Sequence, residues 1–196
     1  MLSALLLGAC MVLVRGAIPA GTTDAGWVND PSNRDAVRIA LGLVPFAGIF
    51  FLWFMGAVRD YFGEAEDKFF ATLFLGGGLL FLALLFVIAA AADGLLATAD
   101  SAQASSELQH WRQLVLTLLF SYATRMAAVL TLAATTMGNG LGRFPSWLVW
   151  FGYLVALVLL FVNIAWSELV FPLWVLTLGG YIFLAGSRES PRTVST

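Results

Sequence analysis

The sequence has little charge, and this scarcity excludes most classes of soluble protein. Only 11% of the 196 residues are charged, while 60% are hydrophobic. Soluble globular domains have about a quarter charged residues, so this chain has too few charges to cover a soluble surface. The net charge of -2 provides no basic field, and we therefore expect no nucleic-acid partner. What remains is a polytopic membrane protein.

Histidine and cysteine are almost absent, which restricts the chemistry. With one His and one Cys, a single chain cannot supply bis-histidine haem ligation, a His-rich zinc site, a disulfide or a CxxC pair. Ser121 has only Arg125 near it on its own helix, and arginine is a poor base because it stays protonated. We expect no catalytic residue, no cofactor and no metal.

Long apolar runs are abundant by contrast. A spanning helix needs roughly 20 mostly apolar residues, and the run 146–186 is too long for one span. Polar residues at Asn163 and Glu168 interrupt it, so we expect two helices with a tight turn near 166–168 and Pro172 in the first turn of the second. The predicted fold is an all-α transmembrane bundle forming one domain over 1–186, with a short cytoplasmic tail at 187–196. The six predicted spans cover about 1–14, 37–58, 69–92, 113–136, 146–165 and 169–186.

The first apolar run, 1–14, is short for a span. It fits a clipped or tilted first helix or a signal segment, and the bundle has five spans if it is not a span. Leu6 to Cys10 resembles a lipoprotein cleavage box, but no charged segment precedes the run. We expect a first helix with Cys10 as a small buried side chain.

The distribution of Lys and Arg indicates the orientation. With six spans, five of these residues fall on the side of both termini and four fall on the other side. The four-residue side also has the two long polar loops, 15–36 and 93–112. Cytoplasmic loops are typically enriched in Lys and Arg, so both termini are predicted to be cytoplasmic.

The fourth run carries a polar face. Small and hydroxylated residues recur there at spacings of four and three, which places them on one side of a helix. Lipid offers such a face no partner, so we expect it to point into the bundle. The residues are Thr117, Ser121, Thr124, Ala128, Thr131 and Thr135.

Arg125 lies beside this face, near the middle of the span. An ionisable residue at the bilayer centre costs a few kcal/mol on insertion scales, so we expect Arg125 to avoid lipid. Glu168 with Asn163 is the favoured partner, because both lie at the only polar interruption of the last hairpin. Arg125 then either lines a solute or anion site or anchors a partner, or it fixes helix register through a buried ion pair or a clamp on backbone carbonyls.

Three segments resemble uncharacterised multi-pass bacterial membrane proteins of actinobacterial type. They are FLWFMGAVRD at 51–60, FFATLFLG at 69–76 and YATRMAAVLTL at 122–132. The resemblance covers most of the chain after residue 35. It implies a bacterial inner membrane and a genuine first span, and it carries no activity.

Three functional classes remain. The first is a non-enzymatic helical module that binds membrane lipid, a lipophilic small molecule or another membrane subunit, including a second copy of itself. The second is a small-solute transporter or channel with a polar path around Arg125. The third, a membrane enzyme, would have to use Glu168, Asp93 or His110. The lack of catalytic groups favours the first.

Overall fold

The computed structural model describes residues 1–18, 30–63, 68–100, 105–162 and 166–189. All regular secondary structure in these ranges is helical, which confirms the predicted all-α bundle. The helices are α1 Leu2–Ala17, α2 Pro31–Phe62, α3 Lys68–Asp100, α4 Ser105–Thr117, α5 Thr124–Gly140, α6 Ser146–Phe161 and α7 Val170–Glu189. A π-helical segment, Leu118–Ala123, joins α4 to α5, and a 3-10 turn, Ser167–Leu169, precedes α7.

Four helical stretches are long and apolar enough to cross a membrane. They are Pro31–Phe62, Lys68–Ala99, Ser106–Gly140 and Ser167–Ala185. Helices α1 and α6 have 16 residues each, or about 24 Å, which is less than the thickness of about 30 Å of the hydrocarbon core. The structure therefore has four helices of spanning length and two shorter apolar ones where six spans were predicted.

Helix α2 begins six residues before the predicted span because its first residues suit a helix start. The Asp30 carboxylate accepts a hydrogen bond from the Ser32 backbone N–H at 2.9 Å, and Pro31 follows the cap. A second bond comes from the Ser32 hydroxyl. Both bonds stabilise the ionised carboxylate and so lower the pKa of Asp30, and the bond from the Ser32 hydroxyl has the larger effect.

An aromatic cluster ties the α5–α6 turn to the ends of α2 and α7. The Tyr181 hydroxyl donates to the Arg143 carbonyl oxygen at 2.9 Å, and the Arg143 guanidinium donates to the carbonyl oxygen of Tyr61. The rings of Tyr61 and Phe144 stack with centroids 6.3 Å apart. Tyrosine and arginine are typical of the level where a membrane protein meets the lipid headgroups.

Helix α5 lies against α3 and α6, and α1 lies against α2 and α7. Small residues bring α5 close to its neighbours: a Cβ at Gly77 would come within 3.3 Å of the backbone nitrogen of Leu130, and one at Gly152 within 2.2 Å of Thr135 Oγ1. Apolar surface alone gives helices no preference for each other over lipid, so such close approach supplies packing energy.

Candidate functional site

A buried ion pair links the end of α1 to the turn before α7. Arg15 Nε lies 3.8 Å from Glu168 Oε1, and the two side chains are 11% and 1% exposed. Among the described residues, neither carboxylate oxygen of Glu168 has a hydrogen-bond partner, and Arg15 Nη1 has none either. A buried pair stabilises a fold only when its attraction exceeds the cost of removing both charges from water.

Two aromatic rings surround the Arg15 guanidinium. Its Cζ lies 4.8 Å from the ring centroid of Phe120 and 6.0 Å from that of Trp166. Trp166 has a φ of 74°, the only positive φ of a non-glycine residue in the described part of the chain. This left-handed conformation costs an ordinary residue roughly 1–2 kcal/mol, and it turns the chain sharply enough to bring Glu168 to Arg15.

The π-helical segment supplies Phe120 and alters the hydrogen bonding of the following turn. The backbone N–H of Thr124 donates to the carbonyl oxygen of Leu119, five residues back. The Thr124 hydroxyl donates to the carbonyl oxygen of Phe120 at 2.6 Å, and the Arg125 guanidinium donates to that of Ser121. Two side chains therefore bind backbone oxygens of the widened turn. Such π-helical turns occur frequently at functional sites.

The hydroxyl face of this helix points into the bundle. Thr124 and Thr131 are buried, as are Ala128 and Thr135, whereas Thr117 and Ser121 are half-buried. The Thr131 hydroxyl donates to the Ala127 carbonyl oxygen at 2.8 Å, as Thr124 does to Phe120. These hydroxyls bind their own helix, an arrangement that needs no water and no solute.

Thr117 lies at the polar end of the face. Its hydroxyl accepts a hydrogen bond of 3.4 Å from the Gln113 side chain. Asn163 lies outside the described residues.

The predicted contact between Arg125 and Glu168 is wrong. Glu168 pairs with Arg15 instead, while the Arg125 side chain is exposed on the outer face of the bundle. Helical side chains lean towards the N-terminus of their helix, and this direction takes the Arg125 guanidinium to the Ser121 carbonyl one turn back. Arg125 follows Thr124 of the inward face directly in the sequence, and the rotation of about 100° between neighbouring helix positions is enough to turn its side chain outwards.

The packing of α3 gives the position of Arg125 along the bundle. A Cβ at Gly77 would meet the backbone of Leu130, and one at Gly94 would meet the ring of Trp111. Because α3 runs antiparallel to α4 and α5, these two contacts align residue numbers across the helices. Arg125 then lies level with Leu82, in the middle of the apolar run 69–92. Its guanidinium reaches one turn towards the α4 end of the helix, which is the direction of Arg15 and Glu168.

A small cavity lies among α1, α2, α3 and the π-helical segment. It has a volume of about 20 Å³ and apolar walls that include Cys10, Val14 and Leu119. A cavity of this size has room for about one water molecule, and apolar cavities stay dry. The described residues contain no group of three or more metal-ligating side chains. The arrangement acts electrostatically, holding α1 against the α6–α7 turn.

Sequence reasoning missed Arg15 as a site residue, although a signal was available. In the predicted topology, Arg15 ends the first helix and Glu168 lies in the turn before the last one, so both fall on the same side of the membrane. Opposite charges at two helix ends on one side are natural partners. The π-helical segment left no comparable signal, because its residues form an ordinary apolar helical pattern.

Comparison with known proteins finds no matching family model, no similar curated protein and no similar solved structure. The function is therefore inferred from the geometry of the described residues.

Proposed function

We propose that this protein is a non-enzymatic membrane helix bundle that binds a lipid, a lipophilic small molecule or another membrane subunit. Its setting is a bacterial inner membrane, with six spans and both termini in the cytoplasm. The short helices α1 and α6 complete the six, since a bilayer thins locally around short spans at modest cost.

The closed packing of the hydroxyl face is the observation that carries this proposal. Thr131 is fully buried, and Thr135 lies directly against Gly152 of α6. A polar path for a solute needs side chains that face a water-filled space, whereas the Thr124 and Thr131 hydroxyls bind their own helix and Thr135 packs against α6. The polar groups of α5 thus serve packing, which suits a binding module.

Native mass spectrometry of the full chain, extracted in mild detergent, tests this proposal. We expect a retained lipid, lipophilic molecule or second subunit, visible as added mass on the intact protein. The protein alone, monodisperse and carrying nothing under conditions that preserve known lipid complexes, would contradict it.

Small-solute transport is the second candidate, and the buried site favours it. Glu168 and Arg15 retain unused hydrogen-bonding atoms next to a π-helical segment, and intramembrane charges commonly mark ion or substrate pathways. Flux of radiolabelled small anions into proteoliposomes, compared between wild type and Glu168→Gln, tests it. Uptake that the substitution abolishes would favour transport over the binding module.

A further inference from the structure

A groove of about 450 Å³ opens on the outer surface between the start of α1, the second half of α2 and the end of α7. Ligand pockets typically have volumes of about 300–1,000 Å³. The groove runs along α2 from Phe50 to Val58, a distance of about 12 Å. Its walls are mostly apolar and include Leu2, Phe50, Trp53, Ala57 and Phe183.

One wall residue is polar and lacks a partner. Ser3 is 3% exposed, and within the described residues its Oγ makes no hydrogen bond. A buried hydroxyl without a partner costs free energy, and a residue in a helix easily avoids this cost by bonding its own backbone, as Thr131 does. The Ser3 Oγ has almost no surface open to the groove, so a ligand that accepts a hydrogen bond would reach it once the side chain turns outwards.

The depth of Ser3 relative to the aromatic cluster indicates which part of a bound lipid lies next to it. Val58 and Gly179 line the groove beside Ser3. Val58 lies about one helical turn before Phe62 of the aromatic cluster, and Gly179 lies about half a turn before Tyr181. That cluster has the tyrosine and arginine side chains typical of the headgroup level. Ser3 therefore lies slightly deeper, where the ester groups of a phospholipid are found, and Phe50 lies deeper still among the acyl chains.

We propose that this groove binds one phospholipid, with an acyl chain along Phe50 and Trp53 and an ester carbonyl accepting a hydrogen bond from Ser3. This inference rests on the proposed function and names its ligand. Trp53 is 68% exposed on a helix of spanning length, so the deep part of the groove faces the acyl chains of the bilayer.

A photoactivatable phosphatidylcholine with a diazirine on one acyl chain tests the groove. The full-length protein is reconstituted in palmitoyl-oleoyl phosphatidylcholine vesicles containing this probe, illuminated and mapped by peptide mass spectrometry. We expect cross-links concentrated on the peptide carrying Phe50 and Trp53. Ala57→Leu fills the groove from α2 and should lower them at least fivefold, while Ala83→Leu, an equal change at an exposed site on α3, should leave them unchanged.

Ser3→Ala separates ligand binding from folding. Because the hydroxyl has no partner in the described structure, its removal should leave the thermal unfolding temperature in detergent unchanged or slightly raised. Loss of its bond to the lipid should reduce labelling of the groove about threefold to tenfold, as expected for one hydrogen bond. Gly179→Leu provides a second filling variant from α7, where the added Cβ finds its nearest neighbour at an ordinary 3.5 Å.

Three outcomes would overturn the inference. Uniform labelling of all lipid-facing helices that does not change with Ala57→Leu or Gly179→Leu would reject the groove as a binding site. If native mass spectrometry still showed retained lipid, the proposed function would stand. A dimer without lipid would show that a second copy covers this face. A protein that retains no lipid, small molecule or subunit would reject both the groove and the proposed function.

Discussion

At the residue scale, Arg15 and Arg125 show how helix position decides the environment of a charge. Arg15 ends α1 where the bundle encloses it, between two aromatic rings and beside Glu168. Arg125 lies at mid-depth but on the outer face, bound to a carbonyl of its own helix. The sequence shows that Arg125 needs compensation, but a single helical pattern does not predict which side of a bundle a borderline position faces.

Removing one member of the buried pair should be strongly destabilising. Arg15→Leu leaves Glu168 as an uncompensated buried carboxylate, which typically costs about 3–5 kcal/mol. Replacing both, as Arg15→Leu with Glu168→Leu, removes both desolvation costs and should restore most of the lost stability. Unfolding in mixed micelles of the two single variants and the double variant measures the coupling. A double variant as unstable as the sum of the single variants would contradict a compensating pair.

Arg125→Leu is the matched control for Arg15→Leu, because it makes the same change on the exposed face. We expect normal expression and an unfolding free energy that is unchanged or raised, because Arg125→Leu removes an ionisable side chain from the outer face at mid-depth, where such a group is costly. Expression level and the same unfolding assay provide the measurement. If Arg125→Leu were degraded while Arg15→Leu was tolerated, the roles assigned to the two arginines would be reversed.

At the element scale, helices are the part of the structure that the sequence predicts best. Apolar length located the apolar helices, but α4 begins at Ser105, inside the polar loop predicted at 93–112. The polar interruption near Glu168 correctly predicted the turn at 166–168 and the place of Pro172. Helix ends extend beyond the predicted spans because a hydropathy pattern measures the apolar section and not the helix. The π-helical segment at 118–123 escaped prediction, since only the hydrogen bonds of Thr124 and Arg125 distinguish it.

Close contact between α5 and α6 depends on Gly152. A Cβ there would approach Thr135 Oγ1 to 2.2 Å, so Gly152→Ala must move one helix or rotate Thr135. We expect a loss of about 1–3 kcal/mol, typical of overpacking, with partial recovery in the double variant Gly152→Ala with Thr135→Ala. Unfolding in micelles measures both.

Gly56 provides the control, since a Cβ at that exposed position of α2 meets nothing within 4 Å. Gly56→Ala should be neutral or slightly stabilising, because alanine favours a helix more than glycine does. Equal effects at Gly56 and Gly152 would indicate that helix propensity, and not packing against α6, controls stability.

At the scale of the whole molecule, the bundle joins helices of two lengths. Helices α2 and α3 have 32 and 33 residues, whereas α1 and α6 are about half as long. The end of α1 and the turn before α7 come together beside the π-helical segment, where the Arg15 guanidinium lies near the rings of Phe120 and Trp166. Composition predicted a bundle of apolar helices. The meeting of these three segments depends on contacts between residues far apart in the sequence, and a hydropathy pattern does not specify such contacts.

Water accessibility of the α5 face tests the central claim most directly, because a packed module and a solute path differ in it. Single cysteines are placed at 117, 121, 124, 128, 131 and 135 in a Cys10→Ala background, with Gly140→Cys as the exposed reference. A membrane-impermeant maleimide is applied from each side of native membranes. We predict labelling at 140 and none at 124, 128, 131 or 135 until the protein is denatured. Labelling at 128 and 131 in the native membrane would contradict the packed bundle and establish a water-filled path.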